Sequence, residues 1–135
     1  MNKISLFFIS WVVFVCVDMT WIGFIMRNFY KAEMQPFFRL KMEIIHQVMG
    51  LFVWALLVVG IMVFVLTGTE NISQALVKGA LFGLVVYGVY DLTNFVVINN
   101  WSLRLLFVDL IWGCCVNAIM SAFIFWLSTL SSTKF

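Results

Sequence analysis

The sequence predicts an all-α integral membrane protein in which one domain of 135 residues forms a bundle of four transmembrane helices. Two features of the composition support this prediction, since 64% of the residues are hydrophobic and only 10% are charged. Soluble domains have about 25% charged residues, and a soluble fold of this size could not cover so much apolar surface. The third feature is that the apolar residues form four runs of about 20 residues, the length that crosses a bilayer as a helix.

The first predicted span covers residues 4–26, and the second covers residues 44–66 without any Asp, Glu, Lys or Arg. The N-terminal run resembles a signal peptide in having a lysine before it, but no small-x-small cleavage site follows. We therefore expect the first span to be retained in the mature protein.

The third predicted span covers residues 79–98 and the fourth covers residues 105–127. We expect helices because each unpaired backbone group in lipid costs several kcal/mol, and because these runs do not alternate as the strands of a barrel would. Gly79 and Gly83 form a GxxxG pair, which indicates close helix packing within one chain or between two. A homodimer through these two glycines is one expectation from this pattern.

The connection of residues 27–43 contains the only proline and several aromatic residues, so we expect it to lie at the membrane interface. On its side of the membrane the predicted topology places five basic residues, which are Arg27, Lys31, Arg39, Lys41 and Arg104. The other side has Lys3, Lys78 and Lys134. Because positively charged loops stay in the cytoplasm, this count predicts that both termini are outside.

Three aspartates, Asp18, Asp91 and Asp109, lie inside the predicted spans. A carboxylate in the middle of a bilayer costs about 2.5–3.5 kcal/mol on insertion scales, so it is normally placed against partners, water or a ligand. Counted along each helix at ~1.5 Å per residue, all three lie ~8–14 Å from the same membrane face. We therefore predict that they share one polar site and are the candidate catalytic residues.

Other polar and aromatic residues follow the same helix faces at spacings of three or four. The candidate ligand-binding residues are Trp21, Gln47, Tyr87, Tyr90, Asn94, Trp112 and Asn117. His46 with the aspartates is a weak candidate for a zinc, manganese or iron site, but no His-rich spacing supports it. The sequence therefore assigns no metal, and it implies no cofactor.

Several of these residues belong to a pattern that resembles the DUF2177 family of bacterial predicted membrane proteins. The resemblance covers nearly the whole chain and is most specific at residues 87–94, Tyr-Gly-Val-Tyr-Asp-Leu-Thr-Asn. It also includes residues 79–83, residues 109–113, Asp18, Trp21, Gly23, Phe29, Tyr30 and Trp101. The resemblance implies a small multi-pass protein of the bacterial inner membrane and no particular activity.

Three functional hypotheses remain. The first is a protein that binds or modifies a lipid-like or apolar small molecule, with Asp91 or Asp109 as general acid or base. The second is a small proton-coupled carrier that works as a dimer. The third is a non-catalytic binding or assembly protein whose aspartates only hold the bundle together. Membrane lipids are the expected surroundings, and the net charge of +2 gives no reason to expect a nucleic-acid partner.

Overall fold

The computed structural model describes residues 2–131, and four of its helices are long and apolar enough to span a bilayer. They are Lys3–Ile25, Ile44–Val65, Ile72–Val97 and Leu103–Leu130. This confirms the predicted fold class, an all-α membrane protein with four helices of spanning length. Lys134, which entered the predicted orientation, lies outside the described residues.

We number the helices in chain order as α1 (Lys3–Thr20), α2 (Arg27–Met34), α3 (Ile44–Gly60), α4 (Ile72–Val97) and α5 (Leu103–Leu130). α1 and α3 each continue into a π-helical turn, Trp21–Ile25 and Ile61–Val65. α2 is followed by the short 3₁₀ turn Gln35–Phe37. The connection expected at the interface therefore contains a helix of its own.

α4 begins at Ile72 rather than at residue 79 as the apolar run predicted. The reason is local, because the side chain of Asn71 accepts a hydrogen bond from the backbone N–H of Gln74 at 2.9 Å and caps the helix. The apolar run predicted a later start because Ser73, Gln74 and Lys78 make the beginning of α4 less hydrophobic than the rest of the helix. Asn2 and Ser102 cap α1 and α5 in the same way.

α4 and α5 form an antiparallel hairpin and have the most extensive contact in the bundle. The turn between them includes Asn100 at a φ of 64°, a left-handed conformation that asparagine tolerates better than most residues. Gly83 packs directly on the backbone carbonyl of Gly113, and Gly79 packs on Asn117 and Ser121. The close packing expected at these two glycines is therefore found within the chain, against α5.

α3 packs mainly on α1, where the indole N–H of Trp11 donates to the carbonyl oxygen of Leu51 at 3.0 Å. Its second half joins a buried core with α1, α4 and α5. Its first half, residues 44–53, is mostly exposed. An apolar groove of about 210 Å³ consequently opens between α3 and α4, lined by Val53, Leu57, Val86, Tyr87 and Tyr90.

α2 covers one end of the bundle through a second, smaller hydrophobic cluster. Tyr30, Trp101 and Leu105 are buried in this cluster, which also includes Trp21, Ile22, Met26, Phe29, Met34, Phe37 and Ile98. The polar side chains of the site lie next to it, because Tyr30 reaches Asp109 and Trp101 lies near Asp91.

Candidate functional site

Asp18 is held by two indole groups from two other helices. Its Oδ2 accepts a hydrogen bond from Trp54 Nε1 at 2.8 Å, and its Oδ1 accepts one from Trp112 Nε1 at 2.6 Å. The residue is only 5% exposed, so these bonds form away from water. Both carboxylate oxygens therefore have protein donors, and Asp18 joins α1 to α3 and to α5.

A continuous set of contacts leads from Asp18 to Asp109. The ring of Trp112 stacks on that of Trp21, with centroids 4.2 Å apart and planes 5° from parallel. Trp21 Nε1 donates to the hydroxyl group of Tyr30 at 3.4 Å, and this hydroxyl in turn donates to Asp109. Two of the predicted carboxylates are thus connected through aromatic side chains.

Tyr30 belongs to the site, although the sequence analysis did not name it as a candidate ligand-binding or catalytic residue. Burial, and after it the hydrogen bond to Asp109, raises the pKa of the Tyr30 phenol above its ordinary value. The hydroxyl group therefore keeps its proton and remains a donor to Asp109. The sequence contained a signal for it, because Phe29 and Tyr30 follow the first span in the pattern that resembles the DUF2177 family.

Asp91 differs from the other two aspartates. It is 0% exposed, and within residues 2–131 neither carboxylate oxygen has a hydrogen-bond partner. The buried indole N–H of Trp101 also has none. Trp101 is close enough to Asp91 for a weak hydrogen-bond interaction, but the two groups do not meet at the distance and angle of a normal hydrogen bond. A buried acceptor and a buried donor are thus adjacent and unsatisfied, which is rare in native proteins.

Tyr87 lies within electrostatic range of all three aspartates. The carboxyl group of Asp91 is also within electrostatic range of Asp109, and that of Asp109 is within range of Asp18. The ring of Tyr87 fills the space above Gly113, where a Cβ atom would overlap it. The three carboxyl groups therefore have one neighbour in common, Tyr87, within electrostatic range, but their hydrogen-bond partners differ.

The remaining candidates fall into two groups. Asn117 is buried, donates to the carbonyl oxygen of Gly113 at 2.8 Å and leaves its own Oδ1 unpaired. Asn94 is half-buried and interacts with Tyr90, one turn from Asp91. Gln47, in contrast, is exposed in the first turn of α3.

His46 serves as a helix cap rather than a metal ligand in this structure. Its Nδ1 accepts a hydrogen bond from the backbone N–H of Glu43 at 3.1 Å, and the Glu43 side chain accepts one in return from the backbone of His46. Across the part of the chain that the structure describes, no group of three or more His, Cys, Asp or Glu side chains could hold a metal ion. The structure therefore does not bring His46 and the aspartates together as a metal site.

Comparison of the chain with curated proteins and with solved structures gave no match. The sequence model of one family, DUF2177, described as a predicted membrane protein, matches residues 3–126. This match covers nearly the whole chain, and the protein belongs to the DUF2177 family.

Proposed function

We propose that this protein binds a lipid-like or apolar small molecule that carries a hydroxyl group, and that the hydroxyl group lies between Asp91 and Trp101. The observation that supports the proposal is the unsatisfied carboxyl group of Asp91 beside the unsatisfied indole N–H of Trp101. Leaving a buried polar group unpaired costs about 1–3 kcal/mol. A ligand that satisfies both groups removes this cost on binding.

The two groups select the chemistry of the ligand. An indole N–H only donates, and a carboxyl group can accept through an oxygen in either protonation state. A hydroxyl group can accept from the first and donate to the second, whereas an ether oxygen cannot donate and an ammonium group cannot accept. A water molecule meets the same requirement, so the ligand has to compete with water for this position.

The groove between α3 and α4 provides room for the apolar part of such a molecule. Its lining is apolar except for the hydroxyl groups of Tyr87 and Tyr90, and it is open along the side of the bundle. Tyr90 also packs edge-on against Trp101, with ring centroids 6.2 Å apart. Tyr90 therefore lies between the groove and the polar pair, and the proposal places one molecule along both.

Asp91 is the residue on which any chemical step would depend. A carboxylate that accepts a hydrogen bond from a hydroxyl group is also placed to accept its proton. Asp18 and Asp109 already have protein donors. We assign these two aspartates a positioning role. Asp18 positions the indole groups of Trp54 and Trp112, and Asp109 positions the hydroxyl group of Tyr30.

The test is photocrosslinking of a long-chain alcohol carrying a photoreactive group to the protein in vesicles, compared with the methyl ether of the same probe. We expect the alcohol to label the wild type and the ether to label it at least about tenfold less, the ratio that corresponds to ~1.4 kcal/mol. Asp91→Leu and Trp101→Phe should each reduce labelling by the alcohol to the level of the ether.

Two matched variants serve as controls. Asp109→Asn keeps an oxygen that can accept from Tyr30, and Trp126→Phe changes an exposed tryptophan on α5. Both should label as the wild type does. Equal labelling by alcohol and ether, or full labelling of Asp91→Leu, would show that the pair holds only water or no ligand.

A further inference from the structure

The end of the bundle that carries α2 has an excess of unpaired positive charge. Arg27, Lys31, Arg39 and Lys41 are exposed, and the ion pair found in residues 2–131 involves none of them. That ion pair joins Arg104 to Glu33 at 3.7 Å. The other acidic residue of the connection, Glu43, caps α3. Four cations at this end are thus left without an acidic partner among the residues that the structure describes.

Large apolar side chains alternate with two of these cations. Phe38, Leu40 and Met42 are exposed, as are Arg39 and Lys41 between them, and Leu40 projects completely from the protein. The exposed residues Ile44 and Ile45 follow at the start of α3. Since α3 enters the bilayer there, residues 38–45 lie where apolar side chains can enter lipid while basic ones meet the headgroups.

We propose that residues 38–45, together with Arg27 and Lys31, form a binding surface for anionic phospholipid headgroups. Charge complementarity selects the lipid, because a polybasic segment at a membrane surface attracts anionic headgroups and zwitterionic ones offer no net charge. The exposed apolar side chains fix the segment at the depth where its cations reach the phosphate groups. This surface is independent of the site at Asp91, and neither proposal requires the other.

The test uses the full-length protein in vesicles that contain trace spin-labelled phosphatidylglycerol or spin-labelled phosphatidylcholine. Electron paramagnetic resonance gives the fraction of each lipid that the protein immobilises. We expect phosphatidylglycerol to be preferred by about threefold at low salt, and the preference to shrink at high salt because screening weakens attraction between exposed charges. The double variant Arg39→Gln/Lys41→Gln should lose most of the preference.

The control is the double variant Lys3→Gln/Lys78→Gln, which removes the same charge from the opposite end of the bundle. It should keep the preference of the wild type. Equal immobilisation of the two lipids by the wild type would overturn the proposal, and so would an unchanged preference in Arg39→Gln/Lys41→Gln. Far-ultraviolet circular dichroism shows that each variant is folded, which is expected because Arg39 and Lys41 are exposed.

Discussion

The indole N–H of Trp112 lies 2.6 Å from a carboxylate oxygen of Asp18, although 94 positions separate the two residues in the chain. The other oxygen of Asp18 is held by Trp54 on a third helix. A carboxylate with two N–H donors is a stable arrangement in a bundle that excludes water. Asp18 is therefore a structural junction of the membrane domain, and this distinguishes it from Asp91.

Replacing Asp18 with Leu should destabilise the protein strongly. The change leaves the indole N–H groups of Trp54 and Trp112 without an acceptor, at about 1–3 kcal/mol for each buried donor. Thermal unfolding in a mild detergent, followed by circular dichroism, measures the effect. Asp18→Asn keeps one acceptor oxygen and should lie between the wild type and Asp18→Leu. A melting temperature of Asp18→Leu equal to that of the wild type would mean that these bonds contribute nothing.

Replacing Asp91 with Leu should have the opposite effect when no ligand is present. Asp91 has no hydrogen-bond partner within residues 2–131, and leucine, whose side chain has the same branching, removes an unsatisfied buried carboxyl group. We expect a free energy of unfolding equal to or greater than that of the wild type in the same detergent assay. Strong destabilisation would show that Asp91 has a structural partner after all.

Replacing Tyr30 with Phe should weaken the contact of α2 with the bundle by about 1.5–3 kcal/mol, the value for a hydrogen bond to a charged group. Limited proteolysis of residues 27–43 provides the measurement, because a detached α2 exposes this connection. The variant Phe24→Leu is a suitable control, since Phe24 is exposed. Equal cleavage rates for Tyr30→Phe and the wild type would exclude a role of this bond in holding α2.

The same tyrosine predicts a dependence of stability on pH. The pKa of Tyr30 is raised in the folded state, so the folded protein holds the phenol proton more tightly than the unfolded chain, in which the pKa is about 10. The stabilisation is complete below about pH 10 and is lost as the pH rises above that value. The difference in unfolding free energy between the wild type and Tyr30→Phe should therefore shrink in alkaline solution. A difference that grows with pH would contradict this.

Replacing Gly83 with Ala should separate α4 from α5. A Cβ atom at this position would overlap the carbonyl oxygen of Gly113, which is backbone and cannot rotate away. Overpacking of this kind costs about 1–3 kcal/mol. Gly50→Ala is the matched control because nothing lies within 4 Å of a Cβ atom built there. Unfolding in detergent should distinguish the two variants, and similar stability would show that the helix pair can shift to accept a methyl group.

The orientation in the membrane can be tested by labelling single cysteines in a background without Cys16, Cys114 and Cys115. A cysteine at Lys41 should react from the cytoplasmic side, and one at Lys3 should react from the outside. Membrane-impermeant maleimide added to intact and to opened cells separates the two cases. Labelling of both positions from the same side would show that the first predicted span does not cross the membrane.

The sequence was sufficient to predict four spans and to place the three aspartates inside them, because hydropathy depends only on local order. It could not predict which aspartate would remain without a partner. The donors to Asp18 come from Trp54 and Trp112, and their reach depends on how α3 and α5 are rotated and tilted against α1. The spacing of residues along one helix carries no information about that rotation.

The roles of His46 and of the glycines depend on contacts that the sequence pattern does not specify. His46 was considered as a ligand because of its chemistry, whereas its position three residues after Glu43 makes it part of a cap. Gly79 and Gly83 predicted close packing, but the pattern does not state whether the neighbouring helix belongs to the same chain. Local cap geometry determines the contact of His46, and the packing of α4 on α5 determines the contacts of the glycines.

The bonds to Asp18 also bear on how the chain assembles during synthesis. α1 enters the membrane first, yet one of the donors to its carboxylate is on the second span and the other is on the fourth. α4 and α5 are adjacent in the chain and can pair as soon as both have been made. The bond from Trp112 to Asp18 therefore cannot form until the fourth span has been made.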